Sequence, residues 1–236
     1  MRLDKYLQEV YELRSRTYAE NLIKTGSVFV NGNTVIKPAF DVADGDVIEV
    51  VDDDYASQGA YKLEEAFCKF SLDVSGKICA DIGCSNGGFT DCLLRHGASL
   101  VYAVDVAECA LRSELINSGK VNFIRANARN LPESFPLVDF VCSDVSFISL
   151  KLVLPEIYRI LKEGGEAVVL VKPQFELEKS ALNKSGIVAS DKLRNRALLS
   201  VRSFAGTLGF KVLNEGVAPI RYQNKNIEYL LHLIKL

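Results

Sequence analysis

The chain has 236 residues, 48% hydrophobic and 25% charged, with a formal net charge of −2. That composition excludes a disordered, collagen-like or disulfide-scaffold protein, and at about 150 residues per domain the length allows one or two domains. The slight acidity argues against indiscriminate nucleic-acid binding, and no apolar run approaches the roughly 18 residues of a membrane helix. The opening Met1-Arg2-Leu3-Asp4-Lys5 holds no apolar signal stretch, so a cytoplasmic protein without membrane partners is expected. Six cysteines (Cys68, Cys79, Cys84, Cys92, Cys109, Cys142) form no C-x-x-C pair and read as buried, reduced thiols. With only His96 and His232 present, a His-rich metal site is excluded, and no metal is expected.

Leu3, Leu7 and Val10 lie at helical spacing and predict a first short helix. Ser15 can cap a second, with Ala19, Leu22 and Ile23 as its apolar face and Gly26 as its stop. Val28 to Val30 reads as a strand, Asn31-Gly32 as a two-residue hairpin turn, and a second strand runs through Val35. Asp44-Gly45-Asp46 is another turn, before a strand from Val47 to Val51. Residues 1–50 are thus expected to fold as a small α+β domain, too small for a deep active site. Asp52-Asp53-Asp54 and the residues through Ala60 read as a linker over 51–60, because adjacent carboxylates repel one another.

The segments Arg2-Leu3-Asp4-Lys5-Tyr6-Leu7, Ser15-Arg16 and Leu22 to Gly32 resemble the RNA-binding domain first seen in small-subunit ribosomal protein S-four. That resemblance implies that Arg2, Lys5, Arg14, Arg16 and Lys24 contact RNA phosphates, which position the nucleic acid without reading its bases. Charge is divided unevenly: residues 1–30 carry a net +1, residues 31–60 a net −6 and residues 61–236 a net +3. A polyanion would therefore be held by local patches.

Over 61–236, strands are predicted at Lys77 to Ile82, Leu100 to Val106, Val121 to Ile124, Val138 to Ser143 and Ala167 to Val171. Helices are predicted near 89–95, 110–117, 152–161 and 192–208, and two late strands at Phe210 to Leu213 and Ile227 to Ile234. This alternation argues for an α/β domain with a parallel, doubly wound sheet. In such sheets ligands bind at the carboxyl ends of the strands, where Gly83, Asp105, Asn127, Asp144 and Lys172 fall.

The glycine-rich turn Gly83-Cys84-Ser85-Asn86-Gly87-Gly88 admits three readings. A dinucleotide fingerprint lacks its second glycine. A G-x-S-x-G nucleophile elbow is satisfied literally, but its only downstream base would be His232, inside a predicted strand. The third reading is an S-adenosylmethionine loop. The methionine carboxylate would face the N–H groups at the helix start, Gly87 and Gly88 would allow close backbone approach, Asp105 would accept from the ribose hydroxyls, Asn127 would flank the adenine, and Asp144 would border the methyl group.

Asp81-Ile82-Gly83 through Leu94, Ala103-Val104-Asp105-Val106, Ser143-Asp144-Val145-Ser146-Phe147-Ile148-Ser149-Leu150 and Val171-Lys172-Pro173-Gln174-Phe175-Glu176 resemble the TlyA family of ribosomal RNA 2′-O-methyltransferases, often labelled hemolysin A. The resemblance covers nearly the whole chain. It implies a Rossmann-like, seven-stranded, S-adenosylmethionine-dependent methyltransferase fold of the FtsJ-like type over 61–236. It also implies a cofactor site that includes Asp81, Gly83, Ser85, Gly87, Gly88 and Phe89, and a Lys-Asp-Lys-Glu tetrad at Lys62, Asp144, Lys172 and Glu228. A free lysine is protonated at neutral pH; a second amine and burial lower its pKa, and carboxylates raise it. Lys172 is expected to take the 2′-hydroxyl proton or to stabilise the forming alkoxide, with the other three orienting it. The implied substrate is a cytidine ribose in ribosomal RNA, held as naked RNA or within a ribosomal subunit. Three stretches depart from the family pattern: Ser57-Gln58-Gly59-Ala60 lacks an arginine, Arg221 to Asn226 lacks a glycine turn, and Val106 to Leu111 lacks Gly-x-x-Gln. The competing readings are a base amino-methyltransferase, for which the proline pair after Asp144 is missing, a membrane-active hemolysin, and an RNA-binding protein with weak catalysis.

Overall fold

The computed structural model describes residues 1–236 except 14, 25, 51–54, 58, 109–110 and 220–225. Arg14, Cys109, Gln58, the Asp52–Asp54 run and the turn expected at 221–225 lie outside the described residues. The chain divides into two compact units, one over Met1–Asp54 and the other over Tyr55–Ile220 with Asn224–Leu236.

The first unit packs helices α1 (Leu3–Glu9) and α2 (Arg16–Lys24) against strands β1 (Val28–Val30), β2 (Asn33–Thr34) and β3 (Ile48–Val50), in the antiparallel order β2-β1-β3. Ser15 accepts a hydrogen bond from the Tyr18 amide at 3.1 Å, capping α2 as its position predicts. Asn31 and Gly32 both have positive φ, 51° and 74°, the condition for the tight hairpin. Leu3, Leu7, Leu22, Ile23, Val28 and Val30 make the core. The β1–β2 ladder stops at Thr34, one residue short of expectation, although the Val35 amide still donates to the Val28 carbonyl at 2.9 Å.

The second unit is built on a seven-stranded sheet. Its strands are β4 (Ile78–Ile82), β5 (Leu100–Asp105), β6 (Val121–Arg125), β7 (Val138–Ser143), β8 (Leu161–Val171), β9 (Phe210–Val217) and β10 (Tyr229–Lys235), in the order β6-β5-β4-β7-β8-β10-β9. Strands β4 to β8 are parallel, as expected, but β10 runs antiparallel to both β8 and β9, so the sheet is mixed rather than wholly parallel. A parallel neighbour needs a crossover, usually a helix, and no helix separates β9 from β10 among the described residues. The first strand, β4, is central, with β5 on one side and β7 on the other. That is the switch point at which doubly wound sheets bind ligands.

Helix α3 (Ala60–Phe70) was not anticipated. Its Ala60, Leu63, Ala66 and Phe67 form a buried face against helix α4 (Gly88–Arg95). Helix α5 is shorter than expected (Ser113–Asn117), and helix α6 (Leu154–Ile160) follows a 3-10 turn at Leu150–Leu152. A one-turn helix α7 (Pro173–Glu176) starts directly after Lys172, and α8 (Asp191–Leu208) is capped by Ser190. Cys79, Cys84, Cys92 and Cys142 are buried; Cys68, on the solvent side of α3, is exposed and corrects the expectation of uniformly buried thiols.

Candidate active site

Strand β4 ends at Ile82, and the chain turns through Gly83 into α4. The Gly83 and Cys84 amides both donate to the Val104 carbonyl, at 2.8 and 3.0 Å, which pins the turn to the neighbouring strand. Ser85 is left-handed (φ 48°), and its amide donates to Asp105 Oδ2 at 3.0 Å, while the Ala107 amide donates to Oδ1 at 3.1 Å. Two backbone donors thus hold the Asp105 carboxylate in one orientation at the end of β5, with lone pairs left for a diol. A cleft opens over this turn, lined by Ser57, Gly59, Gly83, Cys84, Ser85, Gly88, Phe89, Asp144, Ser146 and Lys172.

The expected cofactor residues are distributed unevenly around that cleft. Gly83, Ser85, Gly88, Phe89 and Asp144 line it; Asp81, Gly87, Asp105 and Asn127 are not in its lining. A β-carbon on Gly88 would lie 2.2 Å from Ser57 Oγ and 3.0 Å from the Ala60 nitrogen, so glycine lets the start of α4 meet the segment leading into α3. On Gly87 it would lie 2.8 Å from both Leu111 and Leu115, so there the expected room for cofactor is taken by the chain's own leucines. Asp81 is fully buried beneath α4, where its Oδ2 accepts from Thr90 Oγ1 at 2.7 Å. Burial pushes the Asp81 carboxyl up to about 7, against the hydrogen bonds from Thr90. Asn127 Oδ1 accepts from the Arg129 amide at 3.0 Å, closing a turn after β6.

The four residues of the implied tetrad converge. Helix α3 presents Lys62, whose Nζ donates to Glu228 Oε2 at 2.7 Å and to Asp144 Oδ2 at 3.1 Å. Lys172 Nζ lies 2.6 Å from the other Asp144 oxygen, Oδ1, and donates to Ser146 Oγ at 2.8 Å. Sheet register explains the meeting. Asp144 and Lys172 follow the adjacent parallel strands β7 and β8, and Tyr229 pairs with Val171, which sets Glu228 at the level of Lys172. Burial opposes charge on Lys62, but Asp144 and Glu228 outweigh it and hold its pKa above the ordinary lysine value. Burial likewise opposes charge on Asp144, yet Lys62 and Lys172 hold its carboxyl below the usual range.

Sequence reasoning left several site residues without a role. Ser146 receives the hydrogen bond of Lys172. Phe147 has φ 64° and is 92% exposed, with its ring 5.3 Å from that of Phe175. Glu176 accepts from Ser149 Oγ at 2.7 Å and from the Leu150 amide at 2.6 Å, tying the loop after Asp144 to the helix after Lys172. All lie inside the two sequence blocks that carry the resemblance, which is the signal that could have found them. His232 is buried in mid-strand, its Nε2 2.7 Å from Glu166 and its Nδ1 3.1 Å from Asn214. Both ring nitrogens are engaged there, and the hydrolase reading has no base.

In the first unit Arg2 and Arg16 both bind the buried carboxylate of Asp4. Arg2 reaches it at 3.0 and 2.8 Å and Arg16 at 3.1 and 2.8 Å, and these guanidinium bonds hold the Asp4 carboxyl far below its usual range. Lys5 pairs with Glu9 at 3.6 Å and Lys24 with Glu20 at 3.1 Å, along exposed helix faces.

A family model described as FtsJ-like methyltransferase matches residues 55–235, and one described as S4 domain matches residues 1–48. Hemolysin A of Brachyspira hyodysenteriae is 42% identical over 239 residues, which cover 99% of this chain and 100% of that protein. The 16S/23S rRNA (cytidine-2'-O)-methyltransferase TlyA of Mycobacterium tuberculosis is 40% identical over 226 residues, covering 93% of this chain and 84% of that protein. The chain belongs to the TlyA family. Among solved structures, a Streptococcus thermophilus protein that carries a hemolysin name is 37% identical, with a TM-score of 0.76 over 100% of this chain and 88% of that one. Membership makes the chain an S-adenosylmethionine-dependent methyltransferase with an S4-type RNA-binding unit. The cleft fits that cofactor: α4 begins at its floor, Asp105 presents an oriented carboxylate at the adjoining strand end, and Asp144 and Lys172 stand in its wall. No helix among the described residues is long and apolar enough to cross a membrane.

Proposed function

We propose that the chain methylates the 2′-oxygen of a cytidine ribose in ribosomal RNA, in the cytoplasm, within naked RNA or a ribosomal subunit. In this reading residues 1–50 bind RNA, 51–60 connect, and 61–236 carry the chemistry. When bound, S-adenosylmethionine supplies an electrophilic methyl group. The observation that supports this best is the sharing of Asp144 between two lysines at the cleft wall. Lys62, held charged by Asp144 and Glu228, serves as a fixed cationic anchor and is no candidate base. Lys172 is oriented from two sides, by Asp144 and Ser146, and in this reading its amine would meet the 2′-oxygen and either take its proton or stabilise the alkoxide that forms. Positioning of this kind can account for much of the rate. The exposed Phe147 and the neighbouring Phe175 offer an apolar face on which the target base can stack.

The test is methyl transfer from labelled S-adenosylmethionine to unmethylated ribosomal subunits, with the label mapped. Lys172→Ala is expected to abolish transfer while calorimetry shows cofactor binding unchanged; activity retained within a few-fold would overturn the role. An RNA bearing a 2′-deoxycytidine at the mapped position should accept no label. Label on that RNA would favour a base amino-methyltransferase instead.

A further inference from the structure

We propose that Glu64, Cys92 and His96 form a zinc site that clips α3 to α4. Cys92 lies on α4 and His96 is its C-cap, four residues on, with its amide still bonded to the Cys92 carbonyl, so both side chains share one side of the helix end. Glu64 faces them from α3, two residues beyond Lys62. Glu64 Oε2 lies 2.9 Å from His96 Nε2 and 3.5 Å from Cys92 Sγ, and the three donor atoms all fall within 4.8 Å of one another. Tetrahedral zinc, with bonds of about 2.0 Å to nitrogen and oxygen and about 2.3 Å to sulfur, sets its ligand atoms roughly 3.3–3.6 Å apart. The present spacing therefore needs only small side-chain adjustments to close on an ion.

The donor set selects the metal. A thiolate with an imidazole and one carboxylate suits zinc, whereas magnesium and calcium need a shell of oxygens. The surroundings already orient the ligands. The His96 ring lies flat on Phe67, with centroids 3.7 Å apart and planes 4° from parallel, and the Tyr55 hydroxyl donates to Glu64 Oε2 at 2.6 Å. Such outer partners fix the geometry of metal ligands. Glu64 and His96 are each about one-third exposed, at 32%, which gives an ion and a fourth, water ligand access, while Cys92 is buried. On binding, the Cys92 thiol gives its proton to solvent and its sulfur bonds to zinc; the hydrogen bonds that Cys92 and His96 make to Glu64 are replaced by bonds to the ion. A chain with two histidines cannot build a His-rich centre, but this site needs only one.

The test loads the full-length chain. After chelator treatment it is dialysed against a slight excess of Zn2+ and its metal content is measured; one ion per chain is expected. Loaded instead with Co2+, it should show a thiolate-to-cobalt charge-transfer band in the near ultraviolet. Cys92→Ser should abolish the band, and His96→Gln should abolish stoichiometric zinc binding. Cys68→Ser, which removes the exposed thiol outside the site, should change neither. Circular dichroism checks that each variant is folded; should Cys92→Ser not fold, the partly exposed His96→Gln carries the test alone. A wild-type chain that retains no zinc, or a His96→Gln chain that retains one equivalent, overturns the site.

Discussion

Asp81 and Asp144 follow one another across the sheet, at the ends of adjacent strands, yet their environments shift them in opposite directions. Burial raises Asp81 to about 7, with the Asp144 charge adding to it and hydrogen bonds from Thr90 and Cys142 opposing it; burial opposes charge on Asp144 too, but Lys62 and Lys172 outweigh it and its pKa falls. The consequences for stability differ in sign. Asp81 binds its proton more tightly in the folded state, so its contribution is greatest below the unfolded value near 3.8 and is lost as pH rises through about 7. Asp144 contributes above its unfolded pKa, and that contribution is lost as pH falls through its depressed folded value. Asp81→Asn keeps the size and can still accept from Thr90. Urea unfolding of Asp81→Asn and wild type at pH 5 and pH 8 should show the variant gaining relative to wild type at the higher pH, and a difference independent of pH would refute this account. Ser146 invites a kinetic test. Removing one hydrogen bond to a positioned charge is worth about 1.5 kcal/mol, or about tenfold in rate. Ser146→Ala should therefore lower kcat about tenfold and leave cofactor affinity unchanged; a change confined to KM would assign Ser146 to binding rather than to the positioning of Lys172.

At the scale of elements, the two sequence blocks after β7 and β8 behave as one piece because Glu176 on α7 closes the loop that follows Asp144. Hydrogen bonds to a partly buried carboxylate are worth about 1.5–3 kcal/mol. Glu176→Ala should destabilise the methyltransferase unit by ~2 kcal/mol in denaturant titrations and cut methyl transfer, since Ser146 and Phe147 sit in the same loop. Full activity with unchanged stability would mean that the loop is held by other contacts. Much of this architecture was legible in the sequence. Strands β4, β5, β6 and β7 are short apolar runs bounded by turns, and the polar residues at their ends were visible in one dimension. What was not legible is instructive. The apolar stripe of α3 is present at Ala60, Leu63, Ala66 and Phe67, but it starts at the end of a run with linker composition, which masks the beginning of the helix. The antiparallel β10 is a property of pairing, and a strand's own residues do not state its direction. The left-handed backbone at Phe147 breaks the local preference of a bulky residue, so no propensity could have announced it. The tetrad was found through resemblance; spacing alone, over 166 positions from Lys62 to Glu228, carries no such signal.

For the whole molecule, the net charge of −2 leaves RNA affinity to local cations. The first unit separates two kinds of basic residue. Arg2 and Arg16 are half exposed but anchored on Asp4, which is fully buried, so they are held in place before any RNA arrives. Lys5 and Lys24 sit in exposed i,i+4 pairs with Glu9 and Glu20, an arrangement worth little to stability. The two classes should therefore separate in a paired measurement of RNA affinity against salt and of thermal unfolding. Each phosphate contact contributes about 0.7 to the slope of log affinity on log salt for single strands. Lys5→Ala and Lys24→Ala should each flatten that slope by about 0.7 with almost no change in unfolding, because the released glutamates are already solvated. Arg2→Ala and Arg16→Ala should flatten it as well, and should also lower the unfolding temperature of the unit, because Asp4 then keeps a buried charge with one guanidinium instead of two. That penalty should shrink as pH falls far enough to protonate Asp4. Arginine variants that weaken RNA binding with no loss of stability would show that the Asp4 pairs contribute nothing to the fold. Variants that lose stability but keep the salt slope would show that these arginines serve Asp4 alone, and that the RNA is held elsewhere.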